Sequence, residues 1–209
     1  MKISIITPTY NCENLINFFF NSIEKQTYKN FEHIIIDGAS SDKTLELLKA
    51  KKKQIAYLLS ENDRGVFDAM NKGIKIAKGE IIGFLNSDDF YFNNEILSDV
   101  AHLFIKDNTL EAVYADLIYT KRNDILKNVR FWKSSIFNSG LFSKGWSPPH
   151  PTFFVKKSVY EKYGIFNLDY GNASDIEIMM RFLEVYKIKS QYIPNTWVKM
   201  RLGGLSNNS

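Results

Sequence analysis

At 209 residues, 44% of them hydrophobic and 14% aromatic, the chain is long enough to bury a full core and reads as one domain, 1–209, in two halves, 1–105 and 106–209. The formal charge of +4 rests on mostly dispersed lysines, and the one cluster, Lys49 with Lys51-Lys52-Lys53, falls at an expected helix end that favours cations, so nucleic acid is not an expected partner. A single cysteine, Cys12, rules out an internal disulfide and a cysteine-based zinc site. No run approaches the roughly 18 apolar residues of a membrane span, and the N-terminus enters a strand pattern without a leader, so a cytoplasmic chain, soluble or peripheral to a membrane, is expected.

Lys2 to Thr7 reads as a first buried strand ending in Pro8-Thr9-Tyr10-Asn11. Leu15, Ile16, Phe19, Phe20 and Ile23 then recur at helical spacing, with Asn11 or Glu13 near the start. Phe31 to Ile36 is a second strand, closed by Asp37-Gly38-Ala39-Ser40-Ser41-Asp42, where Ser41 or Asp42 caps a helix carrying Leu45, Leu47 and Leu48. Ile55 to Leu59 makes a third strand, Ser60 to Gly65 a polar loop, and Val66 to Ala77 a helix. Ile81 to Leu85, bounded by Gly79 and by polar residues, suits a strand buried on both faces, and Ile96, Leu97, Val100, Ala101 and Phe104 mark another helix. This β-α alternation predicts an α/β fold with a central, mostly parallel sheet whose first 105 residues form a Rossmann-like nucleotide-binding half. Ala112 to Thr120, Val129 to Trp132 and Phe153 to Val155 are weaker strands, and Ser134 to Pro149 is a long loop suited to acceptor recognition.

The apolar run at Ile81 delivers two adjacent carboxylates, Asp88 and Asp89, to the C-terminal edge of the sheet, the edge where open α/β sheets bind ligands. Two anions there invite a cation and, behind it, a phosphate; otherwise they are turn residues capping a helix that begins near Asn93. The first β-α turn lacks glycine and no G-x-x-x-x-G-K-[ST] occurs, so neither a dinucleotide fingerprint nor a P-loop handles the phosphate. Ser174-Asp175-Ile176-Glu177 reads as a capping box, which sets Asp175 in a first helical turn, either as a helix-stabilising acid or as a positioned general base.

Thr7-Pro8-Thr9-Tyr10-Asn11, Asp37-Gly38-Ala39-Ser40-Ser41-Asp42, Asp63-Arg64-Gly65 with Asp68, Ala69 and Asn71, and Leu85-Asn86-Ser87-Asp88-Asp89 together resemble family 2 glycosyltransferases of the GT-A fold. The likeness runs from about residue 2 to 90 and resumes at Ser174-Asp175-Ile176-Glu177 and Gly203-Gly204-Leu205-Ser206. It implies a nucleotide-sugar-binding half, 1–105, and an acceptor-binding, base-carrying half, 106–209. It also implies that Thr7, Pro8 and Tyr10 line the base and ribose pocket, that Asp37 bonds the base, and that Asp63, Arg64, Gly65, Asn71 and Ser87 border the donor. Asp88 and Asp89 match the family's Mn²⁺ or Mg²⁺ motif, with Asp88 toward the ribose or the same ion, and Asn86 stands where many relatives carry a first Asp.

The implied reaction moves a sugar from a nucleoside diphosphate, UDP by preference of the resemblance alone, to a hydroxyl of a glycan or polyprenyl-linked acceptor, a context of bacterial surface-polysaccharide assembly with possible contact at the inner membrane face. A divalent ion stabilises the departing diphosphate, and one carboxylate, Asp175, takes the proton, which implies inversion. His150 and Trp146 are further candidates for a diphosphate or sugar contact, Gly204 for a lid, while His33, His102, Trp132 and Trp197 are expected to be structural. Two other functions compete: a sugar-nucleotide pyrophosphorylase, which wants a Gly- and Arg-rich loop where Pro8 to Glu13 stands, and a non-catalytic nucleotide-sugar-binding domain.

Overall fold

The computed structural model describes residues 1–203. β1 (Ile3–Thr9), α1 (Ile16–Glu24), β2 (Phe31–Asp37), α2 (Thr44–Ala50), β3 (Tyr57–Ser60), α3 (Val66–Ile76) and β4 (Ile81–Phe84) form the regular first part. β5 (Phe90–Tyr91), α4 (Ile96–Lys106), β6 (Ala112–Lys121), β7 (Asp124–Trp132), β8 (Phe154–Lys156), α5 (Lys157–Tyr163), α6 (Ser174–Met180) and β9 (Ser190–Arg201) follow. No helix among the described residues is long and apolar enough to cross a membrane.

Among these residues nine strands share one sheet in the order β3-β2-β1-β4-β8-β6-β9-β5, with β7 paired to β6. β1 to β4 are mutually parallel, as their two-sided apolar runs require. The expected parallel pairing holds for that half and recurs between β6 and β9. β8 lies antiparallel to both β4 and β6, β7 to β6, and β5 to β9, so the sheet as a whole is mixed. Gly83 is what lets β8 close on β4: a Cβ there would sit 2.3 Å from the Phe154 ring.

Register places the functional edge. Ile82 pairs with Val155, and Val155 with Ala112, so the start of β6 is level with the middle of β4. At about 3.3 Å per residue, the stretch of β6 from Leu117 to Lys121 runs roughly 10–23 Å past the end of β4. There it is flanked by β7 and β9, a wall standing above the edge from which Asp88 and Asp89 emerge. One core packs α1 and α4 against the sheet and a second packs α3, α5 and α6 against it.

The capping box does not form. Ala173 occupies the cap of α6, Ser174 Oγ donates to the carbonyls of Asn167 (2.8 Å) and Gly171 (2.7 Å), and Glu177 reaches forward to Arg181 instead of back to the cap. Asp88 and Asp89 are likewise not helix caps, since α4 begins at Ile96 behind Glu95.

Candidate active site

The ends of β1, β2 and β3 meet on Asp37, which is fully buried. Its Oδ1 accepts from Thr9 Oγ1 (3.1 Å) and Ser40 Oγ (2.5 Å), and its Oδ2 from Ser40 N (3.0 Å) and Ser60 Oγ (2.7 Å). A carboxylate offers about four acceptor sites, and in this structure all four are engaged. Asp37 thus ties three strand ends together. Thr7 and Pro8 are also buried, Thr7 Oγ1 bonding His33 Nε2 at 2.9 Å beneath the edge, and only Tyr10, 67% exposed, stands open.

Asp63 takes the place beside them. Gly38 carries no Cβ, and one would fall 2.7 Å from Asp63 Oδ2, so the carboxylate leans directly over the end of β2. Asp63 Oδ1 accepts from Gly65 N (2.8 Å), and Gly65, at φ 105°, makes the left-handed turn that opens α3 and leaves Arg64 exposed. Asn71 does not face the donor edge. It is buried, with Nδ2 bonded to the Phe166 carbonyl and Oδ1 to the Phe166 N–H, both at 2.9 Å.

Asp88 is half-buried and Asp89 wholly buried at the end of β4, with Ser87 half-buried beside them. Asp89 Oδ2 accepts from Asn86 Nδ2 (3.1 Å), while Asp89 Oδ1 and Asn86 Oδ1 are buried without a partner. Burial, and then the charge of Asp88, hold the Asp89 carboxyl well above the usual carboxylate range; burial likewise raises Asp88, against the opposing charges of Arg201 and Arg122. Orphaned anionic oxygens of this kind fit a divalent cation. Among the described residues no three His, Cys, Asp or Glu side chains converge, so a cation held here would draw on Asp88 and Asp89 and on oxygens from outside the protein.

Arg201, at the end of β9, is the site residue that the sequence left unmarked. It is 7% exposed, lies 4.2 Å over the Phe18 ring, and has Nε and Nη2 without partners. With Asp88, Arg122, Asn11, Cys12 and Phe18 it lines a cavity of about 780 Å³. Gly203 adjoins this cavity, and Gly204 lies outside the described residues.

Across the cleft, Asp175 is half-buried at the start of α6, its Oδ1 accepting from Ile176 N (2.8 Å). Its charge reaches His150, whose ring stacks on Phe84 (5.3 Å, 25°) and meets Phe166 edge-on. Burial pushes the His150 imidazole down, only partly opposed by Asp175, which keeps it neutral. The Tyr119 phenol, raised by burial, feels both Asp89 and Asp175. Tyr119 therefore lies within electrostatic reach of both carboxylates.

The long loop turns its aromatics inward. Trp146, half-buried, packs on Phe142 (5.4 Å), Phe137 (5.8 Å) and Tyr114 (6.2 Å). Trp197 is fully buried, and His33 sits in the core at 2% exposure.

A family model described as Glycosyl transferase family 2 matches residues 4–164. The PGL/p-HBAD biosynthesis glycosyltransferase of Mycobacterium tuberculosis is 28% identical over 208 residues, spanning 98% of this chain and 78% of that protein. An uncharacterized glycosyltransferase of Rickettsia typhi is 31% identical over 191 residues, 89% of this chain and 60% of that one. Among solved structures, S. aureus TarS 1–349 in complex with UDP-GlcNAc superposes with a TM-score of 0.77 at 23% identity, covering all of this chain and 61% of that one. The mannosyltransferase PcManGT of Pyrobaculum calidifontis, in complex with GDP-Man and Mn²⁺, gives 0.72 at 20% identity, covering 98% and 58%. The chain thus spans about three-fifths of these two solved chains.

Proposed function

The chain belongs to glycosyltransferase family 2 and has the GT-A fold, and from that premise we propose that it transfers a sugar, with inversion, from a UDP-linked donor to a hydroxyl of a glycan or lipid-linked acceptor. The observation that carries this reading is the buried, partnerless Asp89 oxygen beside Asp88 at the end of β4, with the half-buried Asp175 at the start of α6 within electrostatic reach of the same Tyr119 phenol. One carboxylate suits a cation and the other suits a proton.

Asp63, whose carboxylate leans over the end of β2, and the exposed Tyr10 would receive the base and ribose. Asp89 and Asp88 would hold Mn²⁺ or Mg²⁺, which supplies positive charge to the departing diphosphate. Arg201, with two free N–H groups beside the same carboxylates, adds a fixed cation to that side. Asp175 accepts the proton of the acceptor hydroxyl as its oxygen attacks the anomeric carbon. The bond from that carbon to the diphosphate breaks on the opposite face, the electron pair leaves with the diphosphate, and the proton later passes from Asp175 to water. His150, neutral and stacked on Phe84, adds no positive charge beside Asp175.

The parent architecture, one domain of two halves, suits this division, with donor contacts before residue 105 and the base after it. The PcManGT complex shows that a protein of this fold is found with GDP-Man and Mn²⁺, and TarS with UDP-GlcNAc. Isothermal titration of UDP, GDP and dTDP with and without Mn²⁺ tests the reading: UDP binding that strengthens with the metal is expected. Absence of metal-dependent binding for all three nucleotides would end it.

A further inference from the structure

β7 pairs with β6 alone among the described residues, and nearly all of its side chains are exposed. Three residues nonetheless converge on it. Tyr119 and Arg130 are register partners, so their side chains stand on one side of the sheet, and Trp132, two residues farther on, joins them. The Tyr119 and Trp132 rings are parallel to within 5° with centroids 6.2 Å apart, displaced sideways so that two aromatic faces lie next to each other. The Arg130 guanidinium hangs over both, 5.3 Å from one centroid and 5.9 Å from the other. Among the described residues Arg130 makes no ion pair, and its side chain is exposed.

An edge strand needs charge to stay unpaired, but it does not need a half-buried indole aligned with a phenol. The position of the pair is informative. β6 has by this point climbed past the end of β4, and the Tyr119 phenol is within reach of the charges of both Asp89 and Asp175. The pair therefore stands on the wall that β6 raises above the edge carrying Asp88 and Asp89, with Tyr119 6% exposed and Trp132 half-buried beside it. Trp146, the other tryptophan near the cleft half, is committed to its own cluster. A pyranose has one apolar C–H face, which stacks on an aromatic ring, and a rim of hydroxyl oxygens, which accept from a planar multi-donor guanidinium.

We propose that Tyr119, Arg130 and Trp132 form the acceptor subsite, where a pyranose ring of the incoming glycan stacks on Trp132, its hydroxyls facing Arg130, and presents its reactive hydroxyl to Asp175. This rests on the glycosyl-transfer reading above. It moves acceptor recognition from the 134–149 loop to the β6–β7 hairpin.

The test is saturation-transfer NMR on the full chain with methyl glycosides of glucose, galactose, mannose, rhamnose and N-acetylglucosamine, recorded with and without UDP and Mn²⁺. At least one glycoside is expected to receive saturation on the ring protons of one face. Its affinity should fall roughly threefold to tenfold in Trp132→Ala and in Arg130→Ala and be largely kept in Trp132→Phe, with UDP affinity the same in all. Arg130 is exposed, so its variant keeps the fold even where Trp132→Ala does not. A wild-type chain that binds UDP but no glycoside, or variants that bind glycosides as well as wild type does, would overturn the subsite. A chain that binds glycosides through Trp132 but no nucleotide would leave the subsite standing and remove the donor reading.

Discussion

The amide of Asn71 is bonded at both ends to a single residue, donating to the Phe166 carbonyl and accepting from the Phe166 N–H, each at 2.9 Å. Phe166 in turn lies edge-on to Phe84 and His150, and the same segment is held from the far side by Arg181, which donates to the carbonyls of Tyr163 and Ile165. α3 and α6 are thus clamped on one loop. Asn71→Leu strands two buried backbone groups and is expected to cost about 2–4 kcal/mol of stability in urea unfolding, with UDP affinity kept. Weakened UDP binding at an unchanged urea midpoint would return Asn71 to the donor site.

Asp175→Asn keeps the shape of the side chain and removes its basicity. Turnover is expected to drop by about 10²–10⁴, while UDP binding with Mn²⁺ is unaltered. Turnover equal to wild type would favour the non-catalytic binding domain or a base elsewhere in the cleft.

Asp89→Asn should stabilise the metal-free protein. Burial and the neighbouring Asp88 both oppose the charge of Asp89, so a neutral isostere relieves that opposition, by about 0.5–2 kcal/mol on the scale of such repairs. The same variant should show no rise in melting temperature on addition of Mn²⁺ and UDP, whereas wild type should show one. A variant less stable than wild type without metal would mean that Asp89 is held mainly by its attraction to Arg201.

His33 provides a pH signature. Burial pushes its imidazole from 6.5 down to about 3, so the unfolded chain binds a proton there that the folded chain does not. The His33 contribution is fully present above pH 6.5 and is lost as pH falls toward 3. Relative to His33→Asn, wild type should lose about 1.4 kcal/mol per pH unit between pH 6 and 4. Parallel stability curves for the two proteins over that range would show that His33 protonates in place.

Gly38→Ala separates binding from folding. The added methyl meets the end of a flexible carboxylate, Asp63, which can swing away, so stability should change by less than about 0.5 kcal/mol. Donor affinity should fall several-fold if that carboxylate receives the base. Unchanged UDP affinity would place the base contact on another residue.

The parallel half was legible because burial on both faces leaves its mark on composition: Ile3–Ile6, Phe31–Ile36 and Ile81–Leu85 are dominated by isoleucine and other apolar residues, with Ser4, Glu32 and His33 the buried polar exceptions. β9 was not legible. Pro194 interrupts Ser190–Arg201 and argues against a strand, and the structure accommodates it in a bulge where Ala115 pairs with Ile193 but Asp116 pairs with Thr196. Within the site, the motif places Asp37 at a strand end, yet a carboxylate free for ligand and one saturated by Thr9, Ser40 and Ser60 are written with the same letters. Arg201 carried no signal at all, because its nearness to Asp88 and Asp89 depends on β9 entering the sheet far from them in sequence.

That entry has a consequence for how the protein comes into being. β9 lies between β6 and β5, so a ribosome must release residues 190–201 before β5 gains its partner and before Arg201 comes near Asp88 and Asp89. The parallel strands can condense while synthesis continues, with the two acids still beside water. The mixed half of the sheet is therefore completed only after β9 has been released, and a nascent chain stalled before Ser190 would hold the parallel strands without β9 or Arg201.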